Sequence, residues 1–475
     1  MKSYIFVGLG PHAKRIYFPF LEKYMNRYDI RLKLLIELKS QTEKTTNYLQ
    51  SRKLVPEKIL YLENSEANKM GTELDPVACC EMNELIRLEK IDGIIISVEP
   101  KAHKMYAEWA LKNNINILMD KPITAPLHPS TDRSAAQQIF DDYAYLENLL
   151  EQSTSKYYVM CQRRNHEGYT FLHSYLNSFV SEFGVPISSM EVYHADGVWN
   201  LPHEFQKENH PYKYGYGKLM HSGYHFVDLF AWIAQINFQI ERARPETATL
   251  YTTKFTPNDL FHQLDETTCE KLFHRPEINE FYKTYEPETY ASYGELDVQT
   301  LLQLKHGPRV VMTGSINLQQ NSLSGRGWFD LPEDTYKGNG RTRHERLNIQ
   351  VSHFLNIQVH SYQSVEKNAE GIEPGDVGSE DHFDISIFRN TKMVGGKAFE
   401  KFSFGKEMKE SNKENASYLG HNEQARETTL LNFVEEKDDT SEFKHHKFTN
   451  QLLSGIYSSL AEGVITGNPQ VAMAV

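Results

Sequence analysis

A glycine turn placed between a short apolar strand and a helix is the feature that most constrains the fold of this chain. Residues 4–7 are apolar, and the turn that follows has the spacing Gly-x-Gly-x-x-Ala. The first glycine permits the tight bend, the second lets the backbone approach a phosphate, and the small third residue lets the helix pack closely on the strand. The pattern predicts a binding site for the pyrophosphate of a dinucleotide. Its residues are Gly8, Gly10, Pro11, His12 and Ala13.

Strand and helix patterns alternate through the first 160 residues. Short apolar runs such as residues 91–98 are typical of strands buried on both faces, and segments with helical periodicity separate them. This alternation predicts an α/β domain over residues 1–160, with the parallel, doubly wound sheet of a Rossmann fold. The predicted strands are 4–7, 32–38, 59–62, 91–98, 115–119 and 157–161, and the predicted helices are 12–24, 102–113 and 134–150.

The remainder of the chain has a different pattern. Longer stretches alternate between apolar and polar residues, and Gly- and Asp-rich loops separate them. These stretches predict a second, α+β domain over residues 161–475, with a large, mostly antiparallel, open sheet that leaves one face for solvent or a partner. The clearest predicted strands are 296–304, 310–318, 347–360 and 382–388, and a final helix is predicted at 447–462.

Composition narrows the class of protein. A chain of 475 residues is too long for one ordinary core, which agrees with two domains. The formal charge of −12 disfavours a nucleic-acid partner, and no apolar run is long enough for a signal peptide or a membrane span. The four cysteines form no Cys-x-x-Cys pair, which suits a reducing compartment. We therefore expect a soluble, cytoplasmic protein without a membrane or nucleic-acid partner.

An acidic residue at the end of the second strand bears on the choice of dinucleotide. The carboxylate of Glu37 is placed to bond both hydroxyls of an adenosine ribose, which favours NAD, because a 2′-phosphate would face a negative charge. Lys39 and Ser40 follow directly and would tolerate such a phosphate, so NADP stays open. The alternative is that Glu37 is a plain exposed strand end.

Two further motifs accompany the glycine turn. Residues 92–103 form an apolar strand followed by Glu-Pro-Lys-Ala-His, and the next strand ends in Asp120-Lys121-Pro122. Residues 215–228 read Gly-Tyr-Gly-Lys-Leu-Met-His-Ser-Gly-Tyr-His-Phe-Val-Asp. In order and spacing these motifs resemble the glucose–fructose oxidoreductase, inositol dehydrogenase and rhizopine-catabolism (Gfo/Idh/MocA) family. The family's Glu-Lys-Pro is Asp-Lys-Pro in this chain.

The resemblance implies both a fold and a reaction. It implies a Rossmann domain followed by an α+β domain whose open sheet often forms the oligomer interface, so we expect a homo-oligomer, a dimer or a tetramer. It implies hydride transfer between a nicotinamide and a carbinol or carbonyl carbon of a sugar, sugar acid or cyclitol. It also implies that the residues lining the cofactor include Ser97, Glu99, Pro100, His103, Asp120, Lys121 and Arg163.

The same resemblance assigns the acid–base chemistry. His225 is the expected acid/base, and an imidazole suits the task because its ordinary pKa of about 6.5 lies near operating pH. Lys121 follows a strand of the parallel sheet, where ligands bind, and its cation can stabilise the charge of a developing alkoxide. Taken alone, Lys121 would be interpreted as an ordinary surface lysine and His225 as an ordinary helix histidine.

His221 departs from the family pattern. Many members carry an aspartate four residues before the catalytic histidine, and we expect His221 and His225 to share one helical face. A histidine cannot hold substrate hydroxyls as a carboxylate does, and two imidazoles beside Lys121 disfavour one another's protonation. We therefore predict that the site prefers a more anionic substrate, such as a sugar acid or phosphorylated sugar, or that its redox role is weakened. His221 is the third catalytic candidate.

Several alternatives stay open at this stage. His221, His225 and Asp228 have a spacing that permits zinc, but no other ligand motif supports it, and we predict no metal site. A glycosidase that retains NAD, or a non-catalytic dinucleotide sensor, would share this fold. Trp199, Tyr212, Tyr214 and Tyr216 either line a carbohydrate pocket or belong to the core. Segments 255–290 and 322–346 exceed the family pattern, and Arg341, Arg343 and Arg346 are expected in a solvated loop.

Overall fold

The chain folds into two compact units, and each is assembled from separated segments. The computed structural model describes residues 1–198, 200–208, 210–273, 285–326, 341–363, 376–378, 382–404 and 421–475. Unit 1 comprises Met1–Ala125, Ile139–His166 and Asn422–Lys447, and unit 2 comprises Pro126–Gln138, Glu167–His421 and Phe448–Val475. The predicted boundary at residue 160 lies near the end of the second segment of unit 1. The sequence pattern contained no sign that a C-terminal segment returns to this unit.

Unit 1 contains the predicted parallel, doubly wound sheet. Its strand order is β3-β2-β1-β4-β5-β6, and β1 pairs in parallel with both β2 and β4. The order reverses at β1, where the carboxyl ends of β1 and β4 leave room for a ligand. The predicted 91–98 strand is shorter than expected. The strands are β1 (Lys2–Val7), β2 (Ile30–Leu38), β3 (Lys58–Leu62), β4 (Gly93–Ile96), β5 (Asn116–Met119) and β6 (Tyr157–Val159).

The helices of unit 1 follow its strands. The single helix predicted after the glycine turn is two helices, because the chain leaves regular helical geometry at Ile16 (φ −109°, ψ −65°). Helix α7 begins in a segment of unit 2 and continues into unit 1 from Ile139 onward. The helices are α1 (Pro11–Arg15), α2 (Tyr17–Tyr28), α3 (Thr42–Leu49), α4 (Glu66–Met70), α5 (Pro76–Leu88), α6 (His103–Lys112) and α7 (Arg133–Glu151).

The C-terminal segment of unit 1 is part of its core. The ring of Phe433 lies 5.3 Å from that of Tyr4 and 5.8 Å from that of Tyr158. A Cβ on Gly93 would lie 2.6 Å from the Phe433 ring, so the aromatic side chain packs directly on the bare backbone of β4. Phe433 belongs to a helix whose residues Leu430 and Val434 are also fully buried. This helix is named α14 (His421–Glu435) in the chain order used below.

Unit 2 contains the predicted large sheet. Within the described residues it has nine strands in the order β14-β13-β12-β11-β7-β10-β9-β8-β15, antiparallel except for the β7–β10 pair. The predicted strand 347–360 is two strands, because the chain reverses after β11 with Ser352 at φ 47°. The strands are β7 (Ser189–Gly197), β8 (Thr247–Phe255), β9 (Asp297–His306), β10 (Arg309–Gln319), β11 (Thr342–Val351), β12 (Leu355–Gln363), β13 (Asp384–Arg389), β14 (Phe399–Ser403) and β15 (Gln470–Ala474).

One face of this sheet is covered by helices and the other is open. On the covered face, His194 of β7 stacks on Phe226 with ring centroids 4.0 Å apart, and a Cβ on Gly314 of β10 would meet the ring of Phe230 at 2.5 Å. Both phenylalanines belong to the apolar helix α9. The helices of unit 2 are α8 (Glu167–Phe183), α9 (Tyr224–Ala234), α10 (Pro257–Gln263), α11 (Glu266–Phe273), α12 (Pro287–Tyr290), α13 (Thr391–Val394) and, apart from its first residue, α15 (Lys447–Thr466).

A search of the described helices finds none that combines the length and the apolar character needed to span a membrane.

The contact between α14 and β4 predicts a large loss of stability in Phe433→Ala. Removing a buried aromatic ring costs about 3–5 kcal/mol, because the cavity it leaves closes only in part. The midpoint of thermal unfolding of the full chain measures the effect. Leu88→Ala, at a position of α5 that is 66% exposed, is the matched control and should change the midpoint little. Equal effects of the two substitutions would contradict the placement of α14 in the core.

Candidate functional site

The glycine turn of unit 1 is shaped to admit a ligand at its second glycine. Gly8 has φ +84°, and a Cβ there would lie 2.6 Å from the carbonyl oxygen of Ser97. A Cβ on Gly10 would meet no atom within 4 Å, so the backbone at this position faces open space. A backbone that is bare and accessible at the start of a helix is what the pyrophosphate of a dinucleotide requires. The turn therefore fits the cofactor expected from the sequence.

Glu37 turns inward and supports this turn. One carboxylate oxygen accepts a hydrogen bond from the Leu9 N–H at 2.6 Å, and the other accepts from the Leu38 N–H at 2.7 Å. The side chain is only 9% exposed, and burial raises the pKa of Glu37 in spite of the two backbone donors. The alternative of a plain exposed strand end is therefore wrong. The choice between NAD and NADP that was argued from this carboxylate stays a prediction.

Asp120 is the centre of a hydrogen-bonded group at the end of β5. It accepts from the Tyr17 hydroxyl and, at 2.9 Å, from the Ser97 hydroxyl, and its Oδ1 lies 3.6 Å from Nε2 of His12. Burial raises the pKa of Asp120, and the hydroxyl donors oppose that shift. Three of the predicted cofactor residues are thus brought together, and Tyr17 is a fourth member that the sequence motifs did not single out.

Lys121 lies beside this group and its pKa is displaced. Burial lowers the pKa of Lys121 to about 8, while Asp120 opposes the shift and Arg426 adds to it. A lysine in this state is mostly protonated at pH 7 and loses its proton about one unit higher, so it can act as a cation or exchange a proton near neutrality. Arg426 belongs to α14, far from Lys121 in sequence.

His103 links two backbone segments in the same region by hydrogen bonds. Its ring nitrogens lie 2.7 Å from the Pro122 carbonyl oxygen and 3.0 Å from that of Val98, and the side chain is fully buried. Burial lowers the pKa of His103, which keeps the ring neutral. It therefore joins the end of β4 to the segment that carries Lys121. The predicted residues Glu99 and Pro100 form the start of the short turn that leads from β4 to α6.

The two arginines after β6 are both buried. Arg163, the predicted cofactor residue, is 3% exposed in the short helical turn Gln162–Asn165. The guanidinium of Arg164 donates to the carbonyl oxygens of Thr440 and His445, each at 3.0 Å. Arg164 thus anchors the C-terminal segment of unit 1.

In unit 2, a buried carboxylate shapes the glycine-rich loop that precedes α9. Glu295 Oε1 accepts hydrogen bonds from the N–H groups of Gly217 and Leu219, each at 3.0 Å, and from the Tyr457 hydroxyl at 2.8 Å. The side chain is fully buried, and burial raises the pKa of Glu295. A Cβ on Gly217 would lie 2.2 Å from the Glu295 carbonyl oxygen. No sequence motif pointed to this glutamate.

His221 lies in this loop, inside a cluster of aromatic rings. Its ring centroid is 5.0 Å from that of His210, 5.1 Å from Tyr212 and 6.2 Å from Tyr216, all with edge-to-face geometry. The prediction that His221 and His225 share a helical face is wrong, because α9 begins only at Tyr224. The chain turns before it, with the Gly223 N–H donating to the Lys218 carbonyl oxygen at 2.8 Å.

His225 lies in the first turn of α9 and is 7% exposed. Three residues on, the carboxylate of Asp228 accepts a hydrogen bond from the Thr449 hydroxyl at 2.8 Å and is fully buried. Asp228 therefore serves the packing of α9 on α15. Across the part of the chain that the structure describes, no group of three or more His, Cys, Asp or Glu side chains is arranged to hold a metal ion.

A buried lysine lies in the loop three residues before His221. Lys218 is fully buried, and its Nζ is 3.7 Å from Oδ2 of Asp196 at the end of β7. Arg341 donates to both oxygens of Asp196. The expectation of a solvated loop is therefore wrong for Arg341, while Arg346 on β11 lies over the ring of Tyr193 at 4.5 Å. Burial lowers the pKa of Lys218 to about 8, against the attraction of Asp196.

A pocket of about 170 Å³ lies next to these elements in unit 2. Phe205 forms part of its wall and packs edge-on against Tyr212, with ring centroids 5.2 Å apart. Apolar side chains and the amides of Asn200, Gln320 and Asn321 line the space, which is enough for one six-membered ring. Trp199 and segment 327–340, which includes most of the predicted extra loop, lie outside the described residues.

The two glycines of the turn predict different outcomes for alanine substitutions. Gly8→Ala should destabilise the protein by about 1–3 kcal/mol or more, because it forces a positive φ and a clash with Ser97. Gly10→Ala should leave the thermal midpoint unchanged and weaken NADH binding at least about tenfold, because the new methyl group enters the open space that a phosphate would use. Fluorescence titration with NADH measures binding. Unchanged binding by Gly10→Ala would contradict this path of approach.

Because Lys218 is buried, we expect the difference in stability between Lys218→Met and the wild type to depend on pH. The pKa of Lys218 is about 8 in the folded chain against an ordinary 10.5, so the folded state binds this proton more weakly. The resulting penalty is complete below pH 8 and disappears as pH rises toward 10.5; one pKa unit corresponds to about 1.4 kcal/mol. Lys218→Met should therefore raise the thermal midpoint at pH 7 and lose this advantage near pH 10. Lys392→Met, at an exposed position, is the control, and a difference independent of pH would contradict the assignment.

Comparisons with known proteins bear on the fold and the family. A family model for the Gfo/Idh/MocA oxidoreductases, described as an oxidoreductase family with an NAD-binding Rossmann fold, matches residues 39–141. The matched region contains the segment that ends in Asp120-Lys121-Pro122. The glycine turn precedes the matched region and is not part of it. A search of curated proteins finds no significant match.

Solved structures extend the similarity to the whole chain at low identity. Levoglucosan dehydrogenase in complex with NADH and levoglucosan has a TM-score of 0.55 at 11% identity, covering 100% of this chain and 99% of that one. The WlbA dehydrogenase from Bordetella pertussis, in complex with NADH and UDP-GlcNAcA, has a TM-score of 0.54 at 13% identity, covering 100% and 97%. An aldose-aldose oxidoreductase from Caulobacter crescentus has a TM-score of 0.53 at 11% identity, covering 100% and 99%.

At these identities the structures establish the fold. They confirm the α/β architecture, and the expected class of cofactor agrees with the family model, whose description names an NAD-binding Rossmann fold. They also confirm that this chain resembles the Gfo/Idh/MocA oxidoreductases.

Proposed function

We propose that this protein is an NAD(P)-dependent dehydrogenase or reductase that acts on a CH–OH or carbonyl carbon of a sugar, sugar acid or cyclitol. The observation that carries the proposal is Lys121, a lysine with a pKa of about 8 at the carboxyl end of β5. It lies in the same unit as a glycine turn whose backbone is open at Gly10. The sugar dehydrogenases among the structural neighbours support the substrate class.

The residues of unit 1 hold the cofactor in this proposal. The bound nicotinamide supplies hydride acceptance or donation, and the protein supplies position, charge and proton transfer. Gly10 admits the pyrophosphate, and Glu37 keeps the turn in shape through the Leu9 N–H. Asp120 and His103 fix the strand ends on either side of Lys121. The NAD preference argued from Glu37 is part of the proposal.

Lys121 and His225 have separate roles in the reaction. The Lys121 ammonium binds the reacting oxygen and stabilises negative charge on it as the alcohol is oxidised. His225 takes the hydroxyl proton in oxidation and returns it in reduction, which a neutral imidazole can do near pH 7. Because the proton of Lys121 is lost near pH 8, stabilisation of the alkoxide weakens above that pH.

An acidic sugar is the substrate that the environment of His221 favours. A carboxylate at position 221 would repel such a substrate, whereas the imidazole does not. The same loop contains Lys218, and Arg341 directly precedes the adjoining strand β11, with Asp196 as their shared counter-ion. No described feature favours the NAD-retaining glycosidase or the dinucleotide sensor over this reading.

The open face of the nine-stranded sheet supports the proposed homo-oligomer. Leu301 on β9 is 62% exposed in the single chain, and Phe388 on β13 and Phe399 on β14 are 40% and 51% exposed. The two phenylalanines form a pair with ring centroids 5.0 Å apart. The ion pair between Lys401 and Asp384 lies on the same two strands, and exposed apolar rings beside polar side chains are suited to a second copy of the same sheet.

The proposal predicts that the full chain oxidises sugars or sugar acids with NAD⁺ or NADP⁺, detected as absorbance of the reduced cofactor. His225→Asn should lower kcat by about 10²–10⁴-fold while NADH binding is retained, because it removes only the proton acceptor. In the wild type, kcat/KM for oxidation should fall above about pH 8, and Lys121→Met should lack this limb. Panels of neutral and acidic sugars identify the substrate class.

Three outcomes would overturn parts of this proposal. Absence of NADH and NADPH binding would remove it. Cleavage of a chromogenic glycoside without net formation of reduced cofactor would replace it with the glycosidase. Equal or better binding of neutral polyols would remove the preference for acidic sugars and leave the dehydrogenase in place. His445→Asn, which changes a histidine of unit 1 that no step uses, is the control for His225→Asn.

A further inference from the structure

The helix α14 brings a buried arginine into the dinucleotide-binding unit. Arg426 is 8% exposed, and its Nη1 lies 3.4 Å from Oε1 of Glu423, a long hydrogen bond. Its Nε is buried and has no hydrogen-bond partner among the described residues. A buried guanidinium normally donates its N–H groups to an anion or to other acceptors. The hydrogen bond to Glu423 therefore satisfies only part of the donor capacity of Arg426.

We propose that Arg426 binds the pyrophosphate of the dinucleotide, as a cation supplied by the C-terminal segment to the glycine turn. The inference rests on the proposed function, because it assumes that a dinucleotide binds to unit 1. It adds a binding residue outside the segment of 39–141 that matches the family model.

The local charge balance is the first argument. Glu423 is shared by two arginines, since its Oε1 also accepts from Nη2 of Arg15 at 3.2 Å. One carboxylate therefore faces two guanidinium groups, and Lys121 adds a third cation within electrostatic range of Arg426. Asp120 and Glu99 are the carboxylates that act on Lys121, and Asp120 already accepts from Tyr17 and Ser97. Glu423 is thus shared between two guanidinium groups, and a bound anion would complete the hydrogen bonding of Arg426.

The position of Arg426 is the second argument. Its charge acts on His12, in the first turn of α1, as well as on Lys121 at the end of β5. Besides burial, Arg426 and Lys121 lower the pKa of His12. Glu423 contacts both Arg426 and Arg15, the last residue of α1, so the guanidinium of Arg426 lies near the helix that follows the glycine turn, where the two negative charges of a pyrophosphate are expected. The planar guanidinium can offer two parallel N–H donors to phosphate oxygens, which a lysine cannot.

Binding of three probes tests the assignment. NADH and ADP both contain a diphosphate, whereas adenosine has none. Arg426→Gln should weaken binding of NADH and ADP by at least about tenfold and change adenosine binding by less than about twofold. Arg426→Lys should recover part of the loss, because it restores the charge without the planar fork. Isothermal titration measures all three ligands, and thermal unfolding confirms that each variant is folded.

Arg27→Gln is the matched control. Arg27 lies on α2, its guanidinium is 4.0 Å from Glu435 of the same helix α14, and its side chain is 67% exposed. The control should bind all three ligands like the wild type.

The outcomes separate this inference from the proposed function. If the wild type binds NADH and ADP, and Arg426→Gln binds them equally well, Arg426 does not contact the pyrophosphate. Unchanged ADP affinity with a raised KM for an acidic substrate would instead assign Arg426 to the substrate and overturn the inference alone. A wild type that binds neither NADH nor ADP would overturn the proposed function and, with it, the inference.

Discussion

The packing of Phe433 on the bare backbone of Gly93 is the contact on which the candidate nucleotide site depends. It places α14 in the core of unit 1, although more than 300 residues separate the two positions in sequence. Arg164 strengthens the same connection through the carbonyl oxygens of the segment that follows α14. Because these contacts fix α14 in the core of unit 1, Arg426 and Glu423 are carried by an element of that core.

Buried charge has a comparable role in unit 2. The carboxylate of Glu295 accepts hydrogen bonds from two backbone N–H groups of the glycine-rich loop and from a tyrosine hydroxyl, and these bonds stabilise the loop. Lys218, in the same loop, is held near an aspartate that Arg341 already neutralises. Such buried charges cost stability unless they are paired, and their presence near His221 agrees with a site adapted to bind an anion.

Sequence patterns predicted the local features of both sites and missed features that depend on distant contacts. The glycine turn and the position of Lys121 at a strand end follow from short-range chemistry, and both are found in the structure. His221 was wrongly placed on the helix, because spacing alone cannot reveal that the chain folds back onto Lys218 before α9 begins. Glu37 was placed correctly at its strand end, but its inward direction depends on the backbone of the neighbouring turn.

The sequence by itself determined the class of fold, the dinucleotide turn and the residues able to carry acid–base chemistry, because apolar periodicity and glycine spacing are properties of neighbouring residues. Only the tertiary structure decided which charges are buried together. In the tertiary structure α14 packs in unit 1, and Glu295 accepts hydrogen bonds from the loop of unit 2. Burial in that structure lowers the pKa values of Lys121 and Lys218 to about 8. These effects depend on desolvation and on the approach of segments far apart in sequence, which no local pattern contains.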